Sequence, residues 1–259
     1  GCELRGVDIL VDGDVPVGAG MSSSAALSAA TGFALNELFK CGLNRVELAY
    51  ISQKTEHLFA GLQCGIMDPF ASLMGRDGHL IKLDCRSMEY EYIPFEFPYK
   101  IVLVNSMVEH SLAGSEYNVR RRQCEEGVEV LRHHYPDIRS MRDVSAAQLV
   151  KHREELDEKV FNRCYYVVTE NERLLQGCGL LRAGDIRGFG ELMYATHEGL
   201  SRLYEVSCPE LDFLYESARK FKGVAGSRMM GGGFGGCTIN LVEEGRVDGF
   251  DAYIRETYS

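Results

Sequence analysis

PVGAGMSSSAA, residues 16–26, places two glycines two apart, follows them with three consecutive serines, and runs into an alanine-rich apolar stretch. Its flanks decide the fold. In the preceding GVDILVDGDVP, Val7, Ile9 and Val11 alternate with Asp8, Leu10 and Asp12, the two-residue period of a strand exposed on one face. From Ser22 to Phe39, Ala25, Ala26, Ala29, Phe33, Leu38 and Phe39 recur mostly at three- and four-residue steps. That spacing predicts a buried helix about 27 Å long at ~1.5 Å per residue. Strand, glycine loop and helix therefore follow in order. Glycines let a ligand approach the main chain, and the first amides of a helix are unpaired donors with a partial positive charge, so the arrangement suits an anion. The serines add hydroxyls, any of which can ligate magnesium. The same composition also serves a plain turn with a serine N-cap. A Walker loop is excluded, because GK[ST] is absent and the loop holds no lysine.

Outward from this loop, the pattern predicts a second helix over Arg45 to Phe59, a short helix after Pro69, and strands at HLIKLD and KIVLVNS, the latter nearly continuous in apolar residues. From Glu116 to Phe221 the periodicity is almost wholly helical, with breaks near Tyr135-Pro136, Gly184 and Cys208-Pro209, which predicts four or five helices. The tail reads as strand, glycine-rich turn, strand from Cys237 to Val242, and amphipathic helix. The class is mixed α/β (α+β), with a seam near Phe97-Pro98 that divides residues 1–98 from 99–259.

A chain of 259 residues with 45% hydrophobic content buries a real core. No run of 18 apolar residues exists, and the first ten residues lack the basic-then-apolar order of a signal peptide, so a cytoplasmic protein without membrane partners is expected. A net charge of −10 opposes a broad nucleic-acid footprint. Nine cysteines without a CxxC pair read as reduced thiols.

Asp68, in GIMDPF, reads either as an N-cap before a first-turn proline or as a carboxylate that takes a proton from a substrate hydroxyl. Glu56 reads as a solvated surface charge. In SEYNVRRRQCEE, Ser115 is a candidate N-cap, Tyr117 points either to core or to a cleft, and Arg120 to Arg122 spread over three helix faces, which favours ordinary salt bridges. RMMGGGFGG has five glycines in the six positions 231–236, a run that suits close approach of another backbone, from a ligand or a neighbouring loop.

Taken together, PVGAGMSSSAA, EHLFAGLQCGIMD, NSMVEHSLAGSEYNVRRRQCEEG and RMMGGGFGGC, in that order and spacing, closely resemble the galactokinases, sugar kinases of the GHMP family. The resemblance implies a GHMP kinase fold, with a ribosomal protein S5 domain 2-like N-terminal domain, here incomplete, and a ferredoxin-like C-terminal domain carrying several helices. It implies phosphorylation of galactose at its C1 hydroxyl by ATP. Gly18, Ala19, Gly20, Met21, Ser22, Ser23 and Ser24 become the phosphate-binding loop, and Ser24 and Glu56 the ligands of Mg²⁺. Asp68 becomes the catalytic base, and Gly65 and Tyr117 line the sugar. Gly231, Gly232, Gly233, Gly235 and Gly236 become a support for the phosphate loop. Pro69 replaces the glutamine usual after GIMD, Met21 replaces a leucine, and Ser28 stands where glutamate is frequent. The family's opening GRxNLIGEHxD-like segment and its closing PSxGA-like strand are not in the sequence, so a chain truncated at both ends and inactive by itself is expected. A monomer is the default oligomeric state. The alternatives are a GHMP kinase acting on N-acetylgalactosamine or arabinose, and a non-catalytic sensor of sugar and ATP.

Overall fold

The alanine-rich run forms helix α1, Ser23–Phe39, and Asn36 near its end turns the chain back. The Asn36 amide donates to the Leu43 carbonyl at 3.1 Å, and its oxygen accepts from the Leu43 N–H at 2.9 Å. Left-handed backbone at Lys40 and Gly42 carries the bend. Asn44 then opens α2, Arg45–Thr55, with a reciprocal cap: its side chain accepts from the Glu47 N–H, while the Glu47 carboxylate accepts from the Asn44 N–H. The two helices lie antiparallel, for Gly32 packs toward Leu48, and one turn back along α1 Ser28 hydrogen-bonds Ser52.

In this computed structural model, residues 3–61, 64–108 and 113–258 are described; Cys2 and the motif positions 62–63 and 109–112 lie outside them. The chain divides into two compact units, Gly1–Glu96 and Phe97–Ser259. In the first, α2 runs into a single π-helical turn, Glu56–Ala60, closed by left-handed Gly61. Helix α3, Met67–Met74, and an antiparallel pair, β1 at His79–Leu83 and β2 at Tyr90–Pro94, complete it. Ala29, Leu48, Ala49, Ile66, Phe70, Leu73 and Met74 form its core.

Two expectations fail here. Residues 3–14 form neither strand nor helix, and Leu10 is 96% exposed. Alternation alone does not make a strand; it needs a paired edge, and β1 and β2 pair with each other. Helix α1 is buried along one face only, at Ala25, Ala29 and Asn36, because α2 and α3 cover one side and leave Phe33 and Leu38 exposed.

The second unit opens with β3, Tyr99–Asn105, followed by α4, Ala113–Arg132, α5, Ala146–Lys151, α6, Glu158–Arg182, α7, Ile186–Arg202, and α8, Pro209–Lys220. Gly184 at φ +79° separates α6 from α7, and Pro209 starts α8, as their positions predicted. Strands β4, Val224–Met229, and β5, Cys237–Glu243, precede α9, Val247–Thr257. The antiparallel sheet has the order β3-β5-β4, with Asn105 opposite Cys237 and Met229 opposite Thr238. Despite its apolar sequence, β3 is buried on one side only: Val102 and Val104 pack with Leu214, Phe250 and Ile254, while Ile101 and Leu103 are exposed.

Cys41 is disulfide-bonded, against the expectation of nine reduced thiols, and the other seven described cysteines are thiols. The missing CxxC pair bore only on neighbours in sequence, not on pairings between distant residues. No helix among the described residues is long and apolar enough to cross a membrane.

Helix α7 sits on β4 through glycine: a Cβ on Gly190 would overlap the Ala225 carbonyl, and one on Gly226 would crowd the Gly190 backbone. We expect Gly190→Ala to cost about 1–3 kcal/mol by overpacking. Gly179→Ala, where α6 leaves open space, should be neutral or stabilise by up to ~1 kcal/mol. Urea denaturation of both variants checks this, and equal midpoints would contradict the packing.

Candidate functional site

The glycine loop is built from left-handed backbone at alternate positions, Gly18 at φ +79°, Gly20 at +72° and Ser22 at +52°. Glycine takes such angles freely, whereas serine does so at a cost. Ser22 occupies the N-cap position of α1 yet makes no capping bond. Its hydroxyl instead donates to Asp68 Oδ2 at 2.6 Å, across 46 residues of sequence. The serine-capped turn therefore fails at the side chain that should have capped it, and the first amides of α1 have no side-chain cap. Ala19 is buried, Met21, Ser22 and Ser23 are half-buried, and Ser24 is exposed.

Asp68 is not an N-cap either. That position belongs to Ile66, and Asp68 lies in the first turn of α3, where the helix dipole favours an anion. Pro69 follows it, buried in the same turn. Gly65, just upstream, is exposed with open space around its Cα.

Glu56 overturns the expectation of a solvated charge, being only 6% exposed. It extends the inward series Leu48, Ser52, Glu56 at four-residue steps, a signal legible in the sequence. Among the described residues, no cation or hydrogen-bond donor pairs with its carboxylate. The antiparallel packing of α1 on α2 matches Gly32 with Leu48 and Ser28 with Ser52. Cys64 lies within electrostatic reach of both carboxylates, and its carbonyl accepts from Gln53 Nε2 at 3.1 Å and from His57 Nε2 at 2.9 Å. Burial pushes the Cys64 thiol up, and the charges of Glu56 and Asp68 push it further.

In the second unit, Tyr117 is 41% exposed and lies against the glycine-rich turn, beside Gly232. That turn is held by protein backbone: Phe234 N–H donates to the Val206 carbonyl at 2.7 Å, and Gly236 N–H to the Val108 carbonyl at 3.3 Å. Side chains at Gly233 and Gly235 would strike those carbonyls. Close approach by a neighbouring loop, one of the two readings of this run, thus accounts for both glycines. Arg120 is buried, pairs with Glu116 and donates to the Tyr204 and Glu205 carbonyls, while Arg121 pairs with Glu125, ordinary ion pairs as expected. Helix α4 begins at Ala113, which puts position 115 inside the helix rather than at its N-cap.

Residues 1–76 match the GHMP kinases N terminal domain and residues 179–259 the GHMP kinases C terminal domain. Galactokinase of Thermotoga neapolitana is 41% identical over 259 residues, covering the whole chain and 71% of that protein. The chain belongs to the galactokinases of the GHMP kinase family. Galactokinase of Roseiflexus sp. (strain RS-1) is 43% identical over 258 residues, all of this chain and 66% of the relative, so the chain spans just under two-thirds of that galactokinase. The crystal structure of Lactococcus lactis galactokinase complexed with galactose superposes with a TM-score of 0.90 at 37% identity, over 95% of this chain and 64% of that one. The fold is accordingly the GHMP kinase fold.

Sequence reasoning on the galactokinase pattern missed Ser22 as the partner of Asp68 and Cys64 as the thiol beside both carboxylates. For the first there is no local signal; for the second, its place directly before GIMD was one. Because two negative charges disfavour the Cys64 thiolate, Glu56→Gln and Asp68→Asn should each shift the pH profile of Cys64 alkylation toward lower pH. Peptide mass spectrometry after timed alkylation reads this out, and profiles unchanged in both variants would show that the carboxylates do not converge on the thiol.

Proposed function

We propose that the protein carrying this chain transfers the γ-phosphoryl group of ATP to the C1 hydroxyl of galactose, giving galactose 1-phosphate. Membership of the galactokinases supports the reaction, and the relative complexed with galactose supports the sugar. The observation that carries it is the Ser22–Asp68 hydrogen bond, which ties a carboxylate to the glycine loop. Residues 1–98 serve as the ATP-binding domain and 99–259 as the C-terminal domain. The reading also takes the protein as a cytoplasmic monomer, in keeping with its acidic charge.

Residues Gly18 to Ser24 offer the nucleotide phosphates uncapped helix amides and hydroxyls, a donor set that needs no lysine. Asp68 accepts the proton of the C1 hydroxyl through the carboxylate oxygen that Ser22 leaves open, while Ser22 fixes its orientation. Gly65 gives the sugar room beside Asp68, and Tyr117, exposed next to Gly232, is a sugar contact.

The residues present fit a hard cation: among the described residues no cation pairs with the largely buried Glu56, and Ser24 supplies an oxygen donor in the glycine loop. Glu56 and Ser24 would hold Mg²⁺, which when bound neutralises charge on the phosphate oxygens. Phosphoryl transfer is chiefly positioning and charge neutralisation, so no covalent nucleophile is required.

Coupled ADP release with galactose tests the assignment in the intact protein. Asp68→Asn should lower kcat by ~10²–10⁴ with MgATP affinity unchanged. Glu56→Gln should instead raise the Mg²⁺ concentration needed for half-maximal turnover. Near-normal turnover of Asp68→Asn would remove Asp68 from the base role, and preference for another sugar in the unaltered protein would replace galactose.

A further inference from the structure

Away from these residues, two histidines and a carboxylate meet at one point of the second unit. His134 lies in the turn that ends α4, with its N–H bonded to the Leu131 carbonyl, and His152 and Glu155 bracket the 3-10 turn after α5. His134 Nε2 lies 2.7 Å from Glu155 Oε2, and His152 Nδ1 lies 2.8 Å from Glu155 Oε1. The two imidazoles stack with centroids 3.9 Å apart. The three ligand atoms all lie within 4.8 Å of one another. Beyond them, Tyr135 Oη lies 3.3 Å from His152 Nε2, on the ring nitrogen that faces away from Glu155.

This is the composition of a transition-metal site. Two imidazole nitrogens and one carboxylate oxygen form a common three-ligand set for zinc, which leaves one tetrahedral position for water. Ligating histidines typically bond their second nitrogen to an outer partner that fixes ring and tautomer, and Tyr135 does so for His152. Imidazole donors favour zinc over the magnesium proposed for Ser24 and Glu56.

We infer that His134, His152 and Glu155 bind one Zn²⁺ that ties the end of α4 to the turn after α5. The ion takes the place of the protons that the two rings now share with Glu155. Bringing each donor to ~2.0–2.1 Å of zinc requires the stacked rings to open. His134 can supply that movement, since its side chain is 36% exposed, whereas buried His152 stays in place.

The test is Zn²⁺ alone, titrated by calorimetry into the chelator-stripped protein, with the thermal midpoint followed in parallel. One ion per chain and a raised midpoint are expected. His134→Ala and Glu155→Gln change exposed side chains, so they should fold; each should weaken binding by more than about tenfold, since loss of an outer-shell partner alone typically costs ~10–100-fold. Co²⁺ in place of Zn²⁺ should give visible bands without the intense near-ultraviolet charge transfer of thiolate ligands. No binding, binding equally tight in both variants, or a thiolate spectrum from the cysteines would each overturn the site.

Discussion

The hydroxyl of Ser22 donates to the carboxylate of Asp68 at 2.6 Å, and on that bond the candidate site depends. It joins the glycine loop to the first turn of α3, two segments that sequence keeps 46 residues apart. A serine in left-handed backbone costs about 1–2 kcal/mol. A hydrogen bond to a charged group contributes ~1.5–3 kcal/mol, enough to offset it. Loop shape and carboxylate position are therefore one structural feature: neither can shift without releasing the other. Had Ser22 capped α1, the amides of the first turn would have been covered and Asp68 left to solvent.

A second constraint runs along the seam of α1 and α2. Asn36 and Asn44 fix the bend, and the antiparallel register after it matches Gly32 with Leu48 and Ser28 with Ser52. The inward series of this segment changes from apolar Leu48 to hydroxyl Ser52 to carboxylate Glu56. Among the described residues no cation pairs with the largely buried Glu56, and burying a carboxylate is expensive. Such a breach of the rules of good packing is expected where a structure serves a ligand, and the proposed Mg²⁺ would relieve it.

Legibility in the sequence followed locality. α1, α2, the breaks at Gly184 and Pro209 and the closing strand-turn-strand-helix could be read because periodicity and caps act within a few residues. The strand expected at Val7 to Val11 could not be judged, since a strand exists only through a partner that local alternation does not reveal. Glu56 lies between these cases: its place in the Leu48, Ser52 series points to burial, while its charge points to solvent. The Ser22–Asp68 bond is a long-range fact, and no local pattern encodes it.

The two glycine-rich segments show how one composition serves opposite ends. In the turn at residues 231–236, Gly233 and Gly235 are required by the protein itself, because the carbonyls of Val206 and Val108 fill the space where side chains would stand. At Gly18 no atom lies within 4 Å of that position, so packing does not explain the glycine there. Backbone angle does: φ of +79° is closed to most side chains. A glycine kept for its angle, as at Gly18 or Gly184, stands beside open space, whereas a glycine kept for contact does not. This difference, invisible in the letters, leaves open space beside Gly18 and none beside Gly233 or Gly235.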